Sequence, residues 1–153
     1  MRRTAARTDR IAFYGSLRAG TGVLRRLGVL RLLRSLGPCR LPGRLVDLGR
    51  YPGLVRGPGS IAAELFEVRH PRALAVLDRF EDCDPARPRR SMYRRIALSP
   101  LDRDGPPAWV YLYNRPAGGW PAVPDGDWLA HLDRRRLAGR GGGPGFSSAR
   151  RAR

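Results

Sequence analysis

The sequence predicts an α+β fold: a small mixed or antiparallel, barrel-like β-sheet with helices packed outside it. Two observations lead there. Short apolar runs recur along the 153 residues, bounded by Gly and Pro, as strands are. Helical spacing is confined to one early, one central and one short terminal segment, so strands do not alternate regularly with helices. That argues against a doubly wound parallel sheet. The length fits one domain, and a 42% hydrophobic content supplies a core for it.

Arg10–Tyr14 reads as the first strand. Thr21 can cap a helix over about Gly22–Leu36, with Val23, Leu24, Leu27, Leu30 and Leu33 on one face. Gly28 weakens that helix and Gly37-Pro38 stops it. Leu41–Leu48 is a strand, followed by a Gly49-Arg50-Tyr51-Pro52-Gly53 turn, and Ser60–Val68 alternates as another strand. Pro71 opens a helix to Phe80, with Leu74, Leu77 and Phe80 (or Val76) inward, since Pro suits a first helical turn. Asp84–Arg90 is a Pro/Arg loop, Met92–Leu98 and Ala108–Tyr113 are strands, and Trp128–Leu137 is a short terminal helix. The expected domain spans residues 10–137, with residues 1–9 and 138–153 as flexible tails.

The formal net charge is +17, which raises nucleic-acid binding as one reading. All 30 Lys+Arg residues are Arg, and an Arg-only chain rich in Ala, Gly and Pro reads better as a GC-rich genome. The chain also lacks the evenly spaced aromatics of a base-stacking platform. No specific nucleic-acid partner is therefore expected. No apolar run approaches the roughly 20 residues of a membrane span, and the basic start has no apolar segment behind it. Cys39 and Cys83 form no motif, and His70 and His131 are far apart, so neither a disulfide framework nor a metal site is suggested. A cytoplasmic protein, monomeric or weakly dimeric, is the expectation.

Phe13-Tyr14-Gly15-Ser16-Leu17-Arg18-Ala19-Gly20 carries the most information. A strand ending in an aromatic, a Gly and a small hydroxyl residue makes a tight turn. Such a turn can aim several backbone N–H groups at one anion. Gly-Ser after a strand is also an ordinary turn, so its weight depends on the other segments.

Those segments are Gly43–Val55 with Tyr51-Pro52-Gly53, then Leu77-Asp78-Arg79-Phe80-Glu81, Met92-Tyr93-Arg94-Arg95 and Trp109–Asn114. With Tyr14-Gly15-Ser16-Leu17, in this order and spacing, they resemble the gamma-glutamylcyclotransferase, or AIG2-like, family from about Ile11 to Trp128. The resemblance implies a small mixed β-barrel with flanking helices, no cofactor, and one catalytic Glu. Its substrate is a gamma-glutamyl amine or gamma-glutamyl amino acid, cyclised to 5-oxoproline with release of a free amine. Glu81 matches the catalytic position, and Tyr14, Gly15, Ser16 and Leu17 match the substrate cradle. Tyr93, in a family-like Tyr-x-Arg element, and Tyr113 are further candidates for the pocket wall. Tyr113 shares a strand face with Tyr111, and packing inside the sheet is an equal reading for each.

The chemistry fits these residue types. The α-amine of the substrate attacks its own γ-carbonyl, so holding the chain folded supplies much of the rate. A carboxylate with a raised pKa can take a proton from the ammonium and return it to the leaving amine. Glu81 follows Leu77 and Phe80 and can sit at an apolar cavity mouth that raises its pKa. Asp78, one turn earlier, could add to that shift or face solvent. Arg94 or Arg95 could pair with a substrate carboxylate or lie on the surface. Many relatives carry Gly after the Glu. Here Asp82-Cys83 follows, as in the branch resembling gamma-glutamylamine cyclotransferases, and Asp84–Ser91 is inserted before the Tyr-x-Arg element. The insertion lies beside the Glu81 helix and could contact the leaving group. Two alternatives stand beside this reading: a non-catalytic AIG2-like module binding an anionic small molecule, and the basic nucleic-acid binder.

Overall fold

A computed structural model describes residues 8–140. Its elements in chain order are β1 (Arg10–Phe13), α1 (Val23–Arg26), β2 (Leu33–Asp47), β3 (Pro52–Val68), α2 (Arg72–Phe80), β4 (Tyr93–Leu98), β5 (Ala108–Tyr113) and α3 (Trp128–Arg140). The five strands form one mixed sheet in the order β2-β3-β1-β5-β4. β1 runs parallel to β5, and the other neighbouring pairs are antiparallel. This is the expected α+β architecture, though the strand order is open and the sheet does not close into a barrel. Where β1 stops at Phe13, β3 and β5 come together directly at Leu54↔Leu112.

Period-two alternation builds a core on each face. Ile11 and Phe13 join Val23, Leu24, Phe66, Leu77, Tyr93 and Tyr111 in one cluster, under α1 and α2. Ala12 and Tyr14 join Leu41, Leu54, Leu65, Val110 and Trp128 in the other, under α3. The Phe13 and Phe66 rings meet at 5.4 Å on the first face.

The early helix departs from the sequence expectation. It covers only Val23–Arg26, a 3-10 turn follows at Leu30–Leu32, and Leu33–Leu36 already belongs to β2. Gly28, at φ +72°, ends the helix by entering the left-handed region that Gly tolerates. The Leu spacing that suggested a helix is instead shared between a short turn and a strand whose residues pair with β3 from Leu33↔Val68 onward. Gly37-Pro38 therefore stops no helix; it sits at a register shift in β2. Thr21 does not make the helix cap: Gly22 holds that position without a side-chain bond. α3 runs three residues past the expected end, through Arg140. The expected tails fall largely on residues 1–7 and 141–153, outside the described residues.

Candidate functional site

Glu81 stands at the C-terminal cap of α2, and the local backbone fixes it there. The Asp82 N–H donates to the Arg79 carbonyl at 3.3 Å and the Cys83 N–H to the Asp78 carbonyl at 2.8 Å. Those two bonds define a Schellman ending, which needs a left-handed residue between them. Asp82 supplies it at φ 49° and is the one non-glycine with positive φ among the described residues. A Gly at this place fits the same turn without the cost of a Cβ.

The helix is held to the sheet by the residue one turn earlier. Asp78 is buried and accepts Arg95 Nε at 2.8 Å, Arg95 Nη2 at 3.2 Å and the Tyr111 hydroxyl at 2.8 Å. Arg95 in turn lies 4.5 Å over the Trp109 ring. Asp78 thus faces the sheet and not solvent, and Arg95 is committed to Asp78 while Arg94 is exposed. Sequence reading could not find this clamp, because its members lie on three elements.

Glu81 opens onto a cavity of about 280 Å³. Tyr14, Gly15, Ser16 and Leu17 line it from the loop after β1, and Tyr93 from β4. So do Tyr51, Pro52, Phe80, Asp82, Met92 and Tyr111. The loop and Glu81, 64 positions apart in the sequence, share one cavity. Tyr113, expected on its wall, is not among the lining residues. The β4–β5 register sets Tyr113 opposite Tyr93, and its ring packs edge-on against Tyr93 at 5.9 Å. Tyr111, two residues earlier on the same face, lines the cavity in its place. Phe80, expected inward, is 43% exposed because the helix ends there and its ring turns to the cavity. Tyr51 and Pro52, which read as a turn, form another part of the wall. Their segment carried the family resemblance, but it read as a turn and not as pocket wall. The Asp84–Ser91 insertion itself contributes no lining residue, though Asp82 and Met92 at its two ends do. Its base is closed by the Met92 N–H donating to the Asp82 carbonyl at 3.0 Å.

Burial pushes the Glu81 carboxyl up to about 7, with no cation or hydrogen bond to offset it. Asp78 does not contribute, being paired with Arg95. The phenols around the cavity are already engaged. Tyr93 donates to the Pro52 carbonyl at 2.7 Å. The Tyr14 hydroxyl donates to the Tyr111 carbonyl at 2.5 Å and accepts the Leu54 N–H at 3.2 Å. It bridges β3 and β5 where β1 has run out. Burial, followed by the charge of Glu81 for Tyr93 and of Asp78 for Tyr111, raises their pKa values, so both stay protonated. By contrast, the N–H groups of Gly15, Ser16 and Leu17 have no acceptor among the described residues. Gly15 permits this approach: a Cβ there would stand 3.0 Å from Pro52 Cγ.

Several contacts hold the loop, among them the Thr21 hydroxyl donating to the Ser16 carbonyl at 2.5 Å. The Arg18 N–H donates to the Gly15 carbonyl at 3.1 Å, Arg18 Nη1 donates to Asp127 Oδ1 at 2.8 Å, and the Ala19 N–H donates to Glu64 Oε2 at 2.7 Å. The loop residues therefore line one side of the cavity, and a carboxyl with its pKa raised to about 7 lines the other. Among the described residues no cluster of three His, Cys, Asp or Glu side chains could hold a metal.

The fold and this pairing define a class, and comparison with known proteins names it. The family model for gamma-glutamyl cyclotransferase, AIG2-like, matches residues 11–130, and the chain belongs to that family. The gamma-glutamylcyclotransferase family protein YtfP of Escherichia coli K12 is 33% identical over 121 residues, covering 78% of this chain and 96% of the relative. The solution structure of E. coli YtfP superposes with a TM-score of 0.57 at 29% identity, covering 80% of this chain and 98% of that one. The crystal structure of a mouse AIG2-like protein does so at 0.60 and 26%, covering 78% and 88%.

Proposed function

We propose that the protein is a cofactor-independent cyclotransferase that converts a gamma-glutamyl amine or gamma-glutamyl amino acid into 5-oxoproline and a free amine. The observation that carries the reading is a Glu81 carboxyl held near neutrality in one cavity with the Gly15-Ser16-Leu17 loop, whose backbone N–H groups have no acceptor among the described residues. In this scheme the N–H groups of Gly15, Ser16 and Leu17 bind the substrate α-carboxylate or share the charge that develops on the γ-carbonyl oxygen. The Glu81 carboxylate takes a proton from the α-ammonium. The freed amine attacks the γ-carbonyl carbon, the new ring C–N bond forms, and the original amide C–N bond breaks. The proton passes from Glu81 to the departing nitrogen, the ring nitrogen sheds its remaining extra proton to the released amine, which leaves as its ammonium, and the carboxylate is regenerated.

Family membership supports the reaction class. A pKa near 7 supports the double duty, because a group must be both a competent base and a competent acid at the working pH. A cytoplasmic setting accords with the two free, buried cysteines. Among the described residues, no helix is long and apolar enough to cross a membrane.

The test is 5-oxoproline release from a panel of gamma-glutamyl amines and amino acids. Wild type turns over at least one member, and Glu81→Gln loses about 10²–10⁴-fold in kcat while remaining folded. Full activity in Glu81→Gln would exclude this mechanism, and no turnover across the panel would favour a binding module in the same cavity.

A further inference from the structure

We infer that the mouth of the Glu81 cavity is a subsite for an apolar leaving amine that carries no carboxylate; this rests on the cyclisation reading above. Six large hydrophobic residues are exposed among those described, and two of them, Tyr51 at 46% and Phe80 at 43%, line this one cavity. Solvent-exposed aromatic rings gathered at one place mark a contact surface. They come from the β2–β3 turn and the end of α2, so their meeting is built by the fold. Met92, half-buried and conformationally adaptable, is beside them.

Exposure also gives the cavity a direction. Tyr14, Tyr93 and Tyr111 are buried and form its inner wall, whereas Tyr51 and Phe80 meet solvent. A glutamyl head group held by the loop N–H groups and Glu81 occupies the inner part. Its amide substituent then runs out between the two exposed rings.

Charge narrows the class further. No Arg or His lines the cavity, and its charged residues are Glu81 and Asp82. A leaving group bearing a carboxylate would meet the Asp82 side chain without a cation to pair with. Arg87, Arg89 and Arg90 do not change this, since they line a separate surface concavity on the insertion. An alkyl or aryl amine is the class that the wall accepts.

The experiment compares gamma-glutamyl amides of matched length whose amine ends in an alkyl or phenyl group, a carboxylate or an ammonium, with gamma-glutamyl-methylamide as the small reference. Turnover is read as 5-oxoproline release, and binding is read by calorimetry on Glu81→Gln. The apolar amides show kcat/KM about tenfold or more above the carboxylate-bearing one and at least equal to the ammonium-bearing one. Phe80→Ala and Tyr51→Ala erase that margin, lowering kcat/KM more for the apolar amides than for the methylamide, and Phe80→Leu keeps most of it. Equal or better turnover of the carboxylate amide, or better turnover of the ammonium amide, overturns the subsite, as does an equal loss for the methylamide in the Ala variants. If nothing turns over but binding to Glu81→Gln keeps the apolar order, the subsite stands and the cyclisation reading fails. Absence of binding overturns both.

Discussion

Glu81 places chemistry and stability in opposition. Its folded-state pKa is raised from the ordinary 4.5 of a glutamate to about 7, so the folded protein holds a proton that the unfolded chain releases between those values. Stability is therefore lost as pH rises from about 4.5 through 7, and the full cost is present above 7. The residue keeps partial contact with water, which trims the cost to between about 1 and 3 kcal/mol. Glu81→Gln should be more stable than wild type by that amount at pH 8, with the difference vanishing near pH 4, as read by chemical denaturation. A gap of constant size across this range would contradict the raised pKa. Tyr14 serves differently. The sequence placed it in the cradle, and it does line the cavity, but its hydroxyl ties Leu54 to Tyr111. Tyr14→Phe leaves a buried N–H and a buried C=O unpaired, and should lower stability by about 1–3 kcal/mol in denaturant titration. A change below about 0.3 kcal/mol would show that the bridge is dispensable.

At the scale of elements, α2 is the part that aims the carboxyl. Three features set it: the Asp78–Arg95–Tyr111 clamp, the Schellman ending, and the left-handed Asp82. Arg95→Ala leaves Asp78 buried without its cation and should cost about 2–4 kcal/mol, measured as a drop in denaturant midpoint. The same change in Arg94, exposed on the neighbouring position, should cost less than about 0.5 kcal/mol. The sequence made α2, β4 and β5 legible because each carries a clean period or a Pro start. The early helix was not legible. Its Leu spacing satisfied a helical period, but a left-handed Gly28 and the long pairing of β2 with β3 claimed the second half for a strand. Tertiary pairing overrode a local pattern there. The Tyr113 expectation failed for a related reason. Alternation puts Tyr111 and Tyr113 on one face, and only the register against β4 decides which of them reaches the cavity.

Across the whole molecule, the site joins segments that are remote in sequence. The loop after β1, the β2–β3 turn, the end of α2 and the start of β4 converge on one cavity because the sheet order places β1 and β5 between β3 and β4. The donor loop and Glu81 were readable as motifs, since each is a short run with its own chemistry. The aromatic mouth was not, since Tyr51 and Phe80 gain meaning only when two distant elements meet. The +17 charge is spread over exposed Arg residues and contributes no side chain to the cavity wall. The central claim is that one buried carboxyl, titrating near neutrality, moves the proton in an intramolecular cyclisation. The direct measurement is the pH dependence of kcat/KM for 5-oxoproline release by wild type and Glu81→Gln. The account predicts an acid limb for wild type near pH 7, where Glu81 must ionise to act as base, and a residual Glu81→Gln rate without that limb. A wild-type limb near the ordinary carboxylate range, or the same limb surviving in Glu81→Gln, would contradict it.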